Sequence, residues 1–374
     1  MIPIFVALLS TLTLLPTAPP KQTRVEISKV WVALSAHGHA ATNQEVRVRK
    51  DTPITAWLVV EARVSGRRRI FSNAPELKKG KKTLSRVERW PADLESPNIK
   101  FLRLEADPKG GIYDNTGKLE AWWHPERNDT HPESWHWCPI DYAESDSGWG
   151  SVWSHQVNAR PTKTPDKYDG LGTMRFVAKV TFRGKEYRSI GQEHRDKAGL
   201  KPGIATIRVR MNDSPVGFMT ELINVPYVYG SHTPTGRIND HQSERGVGAD
   251  CADLMVYGWR RSGRRLTYTW TQGLKKLTRL QVRASTVKDG VYQDKKGQPI
   301  RFGEQVRPND ILLWGRHVAA VVSTDKSGFL TPKTIILHTL TGSPMMGPLK
   351  DIGFGFDTME FEVRRPNWLR WKKY

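Results

Sequence analysis

Apolar and polar residues alternate through most of the first half of the chain. From about Arg24 to Arg210 the runs RVEISKVWVALSA, TAWLVVEARVSGRRRIFSN and TMRFVAKVTFRGKEYRSIG carry hydrophobic side chains at every second position. That period puts them on one face of a strand. The second run breaks at Ser65–Gly66 and the third at Arg183–Gly184–Lys185, so each predicts a hairpin. GLKPGIATIRVRM adds a Pro-Gly turn and a closing strand. Short alternating strands separated by turn signals predict an all-β, sandwich-like region over residues 23–211, as one elaborated domain or two small ones. The alternation lapses between Ala121 and Arg160, a loop that holds Trp122, Trp123, Trp135, Trp137, Trp149 and Trp153, with His124, His131, His136, His155 and Cys138. Large aromatics usually bury, so packing onto the sandwich or the next domain is the expectation. A stacking platform for sugar rings is the alternative. The His and Cys spacing fits no structural zinc pattern, so no metal is expected.

MNDSPVG (Met211–Gly217) is a polar, Pro-containing break, and mixed helix and strand patterns follow it over 212–374. A chain of 374 residues is long enough for two or three domains. The opening run, MIPIFVALLSTLTLLPTAPPKQ, has the length of a secretory signal and ends in small residues and prolines. It is short for a membrane span, so residues 1–22 predict export to a periplasm, cell wall or extracellular space, with no stable membrane span. The net charge is +20 and is spread over both halves. Such charge suits a polyanionic partner. No zinc-finger, RNA-binding or helix-turn-helix pattern accompanies it, so nucleic acid is not expected and an anionic envelope polymer is. The two cysteines, Cys138 and Cys251, are read as free thiols, with a disulfide between them as the alternative. Nothing in the sequence sets an oligomeric state.

Cys251 stands in GVGADCADLMVYGWRRSG. Asp250 and Asp253 suit the free amides of a first helical turn, and Arg260, Arg261 and Gly263 mark a helix end. Cys251 therefore opens a helix of about three turns, where the dipole and unpaired amides favour a thiolate and its own amide faces a developing oxyanion. An inert buried cysteine is the alternative. Downstream, Asp310–Trp314, His317–Thr324 and Thr334–Leu340 read as successive strands. Antiparallel pairing across the Asp325–Lys333 loop sets His317 and His338 opposite one another within a residue or two. One ring takes the thiol proton and the other orients it.

The segments PYVYGS (Pro226–Ser231), DCAD (Asp250–Asp253), RPNDILLW (Arg307–Trp314) and HVAAVV (His317–Val322), with His338 in IILHTL, resemble in order and spacing the NlpC/P60 family of papain-like cysteine peptidases. The resemblance covers roughly Phe218 to Val363. It implies an α+β papain-like domain over 212–374 that hydrolyses a peptide or amide bond in cell-wall peptidoglycan stem peptides, often between D-glutamate and a diamino acid. Cys251 is then the nucleophile, His317 the base and then acid, His338 its orienting partner, and Tyr227 a residue lining the site. Asp250 and Asp253 become substrate-binding candidates. Ala252 and Asp253 replace the family's Ser-Gly, Ser231 replaces a glycine, and Asn309 replaces the glycine before Asp310. A carboxylate at Asp253 would then meet a substrate amine. No cofactor is implied. An amidase or acyltransferase using the same thiol, and a catalytically silent wall-binding protein, are the rival readings.

Overall fold

The computed structural model describes residues 23–107, 113–116 and 136–368 of the protein. The hairpins form where the turn chemistry demands. Ile54–Val64 turns into Arg67–Phe71 through Ser65 and Gly66, with φ of 47° and 82°. Arg183 and Gly184, with φ of 49° and 74°, join Gly172–Phe182 to Lys185–Arg188. Two successive positive φ values give the turn a twist that matches its strands. Val25–Ala36 pairs antiparallel along the whole of Ile54–Val64 and anchors a seven-stranded sheet. A six-stranded sheet runs Tyr142–Asp146, Asn98–Ala106, Gly172–Phe182, Ala205–Arg210, Val46–Arg49, with Lys185–Arg188 beside Gly172–Phe182.

The alternating apolar positions of both sheets meet in one core, in which Leu34, Leu58, Phe101, Met174, Phe176 and Ile207 are all but inaccessible. Each such side chain contributes about 1.5–3 kcal/mol by leaving water. The stretch 121–160 departs from the expected loop: Tyr142–Asp146 and Ser154–Val157 are strands, and they join different sheets. They are short and mostly half-buried, so they carry little alternation for a sequence to display. Trp149 and Trp153 pack against the sandwich core, and Trp149 stacks on His155 at 4.6 Å between ring centres. Trp122, Trp123, Trp135, His124 and His131 lie outside the described residues, as does the 1–22 segment. Among the described residues no group of His, Cys, Asp or Glu side chains is placed to hold a metal ion, and no helix is long and apolar enough to cross a membrane. The protein is thus mostly β, with 41% strand and 11% helix.

Past Arg210 the chain builds a second seven-stranded antiparallel sheet. Its order is Val291–Asp294, Thr278–Lys288, Phe361–Pro366, Ile311–Leu313, Val318–Ser323, Ile335–His338, Met345–Pro348. The helix Cys251–Arg261 packs on one face through Leu254, Met255 and Trp259 against Leu313, Val318, Ala320 and Leu337. Trp314, Ile336, Phe356 and Phe361 fill the other face. Gly258 fixes the helix against the short helix Pro215–Met219: a Cβ there would lie 2.4 Å from both the Pro215 carbonyl oxygen and Met219 Cγ.

The two parts share an extensive interface. Tyr113–Asp114 pairs in parallel with Val228–Tyr229, and the fully buried Asn115 amide donates to Gln242 at 2.9 Å and to the Gly230 carbonyl at 3.3 Å. Arg208, from the sandwich, is 1% exposed and donates to Glu45, to the Tyr257 hydroxyl and to the Glu244 carbonyl. Glu221 is inaccessible and accepts from Arg47 at 3.0 Å and from Tyr257 at 2.6 Å.

Candidate active site

Cys251 is the first residue of its helix and 7% exposed. Asp250 caps that helix: its Oδ1 accepts from the amides of Ala252 and Asp253, both at 2.9 Å. The Asp253 carboxylate reaches back toward the Asp250 amide at 3.5 Å, completing a capping box. The Asp250–Asp253 spacing therefore builds the turn that holds the thiol.

His317 comes just before the strand Val318–Ser323, and His338 ends the strand Ile335–His338. Ala320 pairs with Leu337. Extended by one residue, that register sets His338 opposite Ala319 and leaves His317 as its diagonal neighbour on the same face. The rings stand nearly perpendicular, with His317 Nε2 3.3 Å from His338 Nδ1. Trp314 and Phe356 flank His317, whose side is sealed from solvent. The other ring nitrogen, Nδ1, has no hydrogen-bond partner. The backbone amide of the next residue, Val318, is close enough to the Cys251 thiol to favour its thiolate. His317 and Val318 thus place the imidazole pair and the backbone amide that acts on the thiol side by side at the start of one strand.

The electrostatics differ from the sequence expectation of a dipole-lowered thiol. Burial pushes the Cys251 thiol well up, and the neighbouring Asp250 adds to the rise; the Val318 and Ala252 amides act the other way. Desolvation outweighs the helix terminus because the sulfur lies inside the protein. Burial likewise pushes His317 well below the usual histidine range and His338 down to about 4. The group is a neutral thiol beside two neutral imidazoles.

The expectation of a substrate-facing Asp253 is not met. Asp253 is 4% exposed; the Ser231 hydroxyl donates to its Oδ2, and His241 Nε2 lies 3.9 Å from its Oδ1. Burial and the adjacent Asp250 push its carboxyl well up, and burial pushes Asp250 up to about 6. His241 stacks on Tyr268 at 3.7 Å and is lowered to about 3 by burial. Ser231 and Asp253, two of the departures from the family pattern, are therefore bonded to one another. Asn309, a third, has φ of 73° and accepts from the Val216 amide at 3.0 Å. Asparagine tolerates that left-handed conformation better than most residues.

Tyr227 is 5% exposed, bridges to Ala249, and has its hydroxyl pushed well up by burial and by the nearby Cys251. It opens onto a groove of about 440 Å³ between the sandwich and the segment Thr341–Met345. Met345, on one groove wall, pairs with His338, while Cys251, His317 and His338 themselves do not line the groove. The site residues named from the sequence leave out Tyr229, whose hydroxyl is pushed up by burial and then by Asp250, Asp114 and Cys251, and Tyr168, whose hydroxyl accepts from the Met346 amide at 3.0 Å. The second tyrosine of PYVYGS was the available signal for Tyr229; nothing local marks Tyr168. Cys138 and Cys251 are both free thiols. No family model matches the chain, and no curated protein or solved structure is similar to it.

Proposed function

We propose that the protein is an exported cysteine hydrolase of papain-like type that cleaves a peptide or amide bond in peptidoglycan stem peptides. The observation that supports this reading is the buried His317–His338 pair, 3.3 Å between Nε2 and Nδ1, one residue from Val318, whose backbone amide acts on the thiol of the helix-opening Cys251. With its proton on Nε2, His317 donates to His338 Nδ1 and keeps a lone pair on Nδ1. That nitrogen has no hydrogen-bond partner. Its depressed pKa keeps the ring unprotonated at neutral pH, so it is able to take the thiol proton as sulfur attacks a carbonyl. The same proton then goes to the leaving amine, and water hydrolyses the thioester. Tyr227 lines the groove, and Asp250 holds the helix start. The +20 charge supports retention on an anionic envelope polymer.

A catalytically silent, wall-binding reading draws on the near-complete burial of Cys251 and His317. Purified wall fragments digested with wild type and with Cys251→Ala separate the two. Under the hydrolase reading, mass analysis finds a cleaved stem peptide bearing a new amine and a new carboxylate in the wild-type reaction alone. Identical product sets would favour the silent reading. Release of an intact stem peptide from sugar would favour an amidase.

The resting charge state has its own signature. A thiol pushed up by burial is alkylated only as hydroxide removes its proton. Iodoacetamide labelling of Cys251, followed by peptide mapping, therefore keeps rising above pH ~8.5. A rate already level below pH ~7 would mean a thiolate–imidazolium pair and contradict the neutral assignment.

A further inference from the structure

The helix that opens with Cys251 closes with Arg260 and Arg261, so its two ends lie about 15 Å apart. At the far end, between the sandwich and the cysteine-bearing part, is a cavity of about 470 Å³ lined by Arg47, Asn239, Glu244, Arg260, Arg261 and Gly263. Basic side chains at a helix end are favourable whatever they bind. What sets this cavity apart is how its donors are used. Arg260 is committed: Nε donates to Glu244 at 2.6 Å, Nη1 to the Leu266 carbonyl at 2.7 Å and Nη2 to Asn239 at 3.2 Å. The Arg261 guanidinium makes no hydrogen bond among the described residues, and its Nε is buried without a partner. The carboxylate near it is Glu221, 3.8 Å away, which Arg47 and Arg210 already approach to 3.0 and 3.6 Å. Arg47 has a second carboxylate in Glu45 and Arg210 has one in Asp213. Arg261 has no second carboxylate among the described residues.

The cavity thus has donors to spare. Arg47 spends Nε on Glu45 and Nη1 on Glu221 and Tyr257, which leaves Nη2. Arg261 keeps both Nη atoms. Asn239 accepts from Arg260 through Oδ1 and keeps its amide hydrogens. The Arg47 side chain is 22% exposed and that of Arg261 33%, so both are within reach of a solute. One acceptor stands among these donors. Glu244 Oε1 is taken by Arg260 and by the Tyr268 hydroxyl at 3.0 Å, while Oε2 accepts from no described group. Two guanidinium forks and an amide suit the several oxygens of a phosphate. The free carboxylate oxygen suits a hydroxyl, which a bare oxyanion does not carry.

We propose that this cavity binds a phosphate ester of a polyol. Arg47, Arg261 and Asn239 hold the phosphate, and Glu244 accepts from a hydroxyl of the same ligand. The net charge of +20 draws such anions toward the protein. The site lies at the opposite end of the helix from Cys251 and is independent of the hydrolase reading.

The test is isothermal titration calorimetry on the full-length protein at low salt, with four probes: inorganic phosphate, glycerol, glycerol 3-phosphate and a poly(glycerol phosphate) chain. Glycerol 3-phosphate is expected to bind at least about tenfold more tightly than inorganic phosphate, and glycerol not at all. Binding of the polymer as well makes a phosphodiester chain the source of the group; binding of the monomer alone makes it a soluble ester. Arg261→Gln should weaken binding by at least about tenfold. Arg261→Lys, which keeps the charge and loses the fork, should weaken it less. Arg67→Gln, which removes an exposed arginine of the strand Arg67–Phe71, should leave it unchanged. Melting curves identify a variant that has merely lost its fold; should Arg261→Gln do so, Arg261→Lys against Arg67→Gln decides. No binding of either ester, inorganic phosphate bound as tightly as glycerol 3-phosphate, or equal losses in Arg261→Gln and Arg67→Gln would each overturn the site.

Discussion

Cys251→Ala is expected to lower the cleavage rate of stem peptides by at least about 10⁴-fold, because the group that forms the covalent bond is gone. The fold should tolerate the change. Cys251 is a small side chain at a helix start, and the cap is made by Asp250 and not by the sulfur. The expected cost in stability is about 1 kcal/mol, a shift of a few degrees in a thermal melt. His317→Ala should lose a similar factor in rate, since without its base the buried thiol stays protonated. His338→Ala should lose less, because it removes an orienting contact rather than a reacting group. Steady-state rates of the three variants, with melting curves alongside, check this order. Equal activity of wild type and Cys251→Ala would remove the thiol from the mechanism.

The largest stability effect is expected at the interface between the sandwich and the cysteine-bearing part. Glu221 is inaccessible and takes Arg47 and Tyr257 on Oε2, with Arg210 3.6 Å from Oε1 and Arg261 3.8 Å from Oε2. Glu221→Ala leaves these cations around a cavity with no anion at its centre. Removing one partner of a buried ion cluster costs about 3–5 kcal/mol, since the remaining charges lose both hydration and counter-charge. Glu221→Gln keeps the shape and should cost less. Calorimetric unfolding measures both, and limited proteolysis near Met211–Gly217 reports whether the two parts separate. A melt for Glu221→Ala within a degree of wild type would contradict the role assigned to this cluster.

What was legible in the sequence was local. The Ser65–Gly66 and Arg183–Gly184 hairpins, the capped helix at Cys251 and the strand that begins next to His317 each show in a short local pattern. The histidine register came out within two residues. The pairing also shifts between Val321 and Ser323, a bulge that no alternation pattern reveals. The thiol's charge state was illegible for a different reason. A helix start lowers a thiol pKa and burial raises it, and only the packed structure shows that burial prevails here. The Asp253–Ser231 bond and the Tyr113–Asp114 strand beside Val228–Tyr229 join residues far apart in the chain, so no spacing rule finds them.

The most direct measurement is rapid-quench mass spectrometry of wild-type protein mixed with a stem peptide. The account predicts a transient acyl adduct on the peptide that contains Cys251, absent from Cys251→Ala and short-lived when His317 is intact. Turnover with no adduct at that sulfur, or an adduct on another residue, would contradict it.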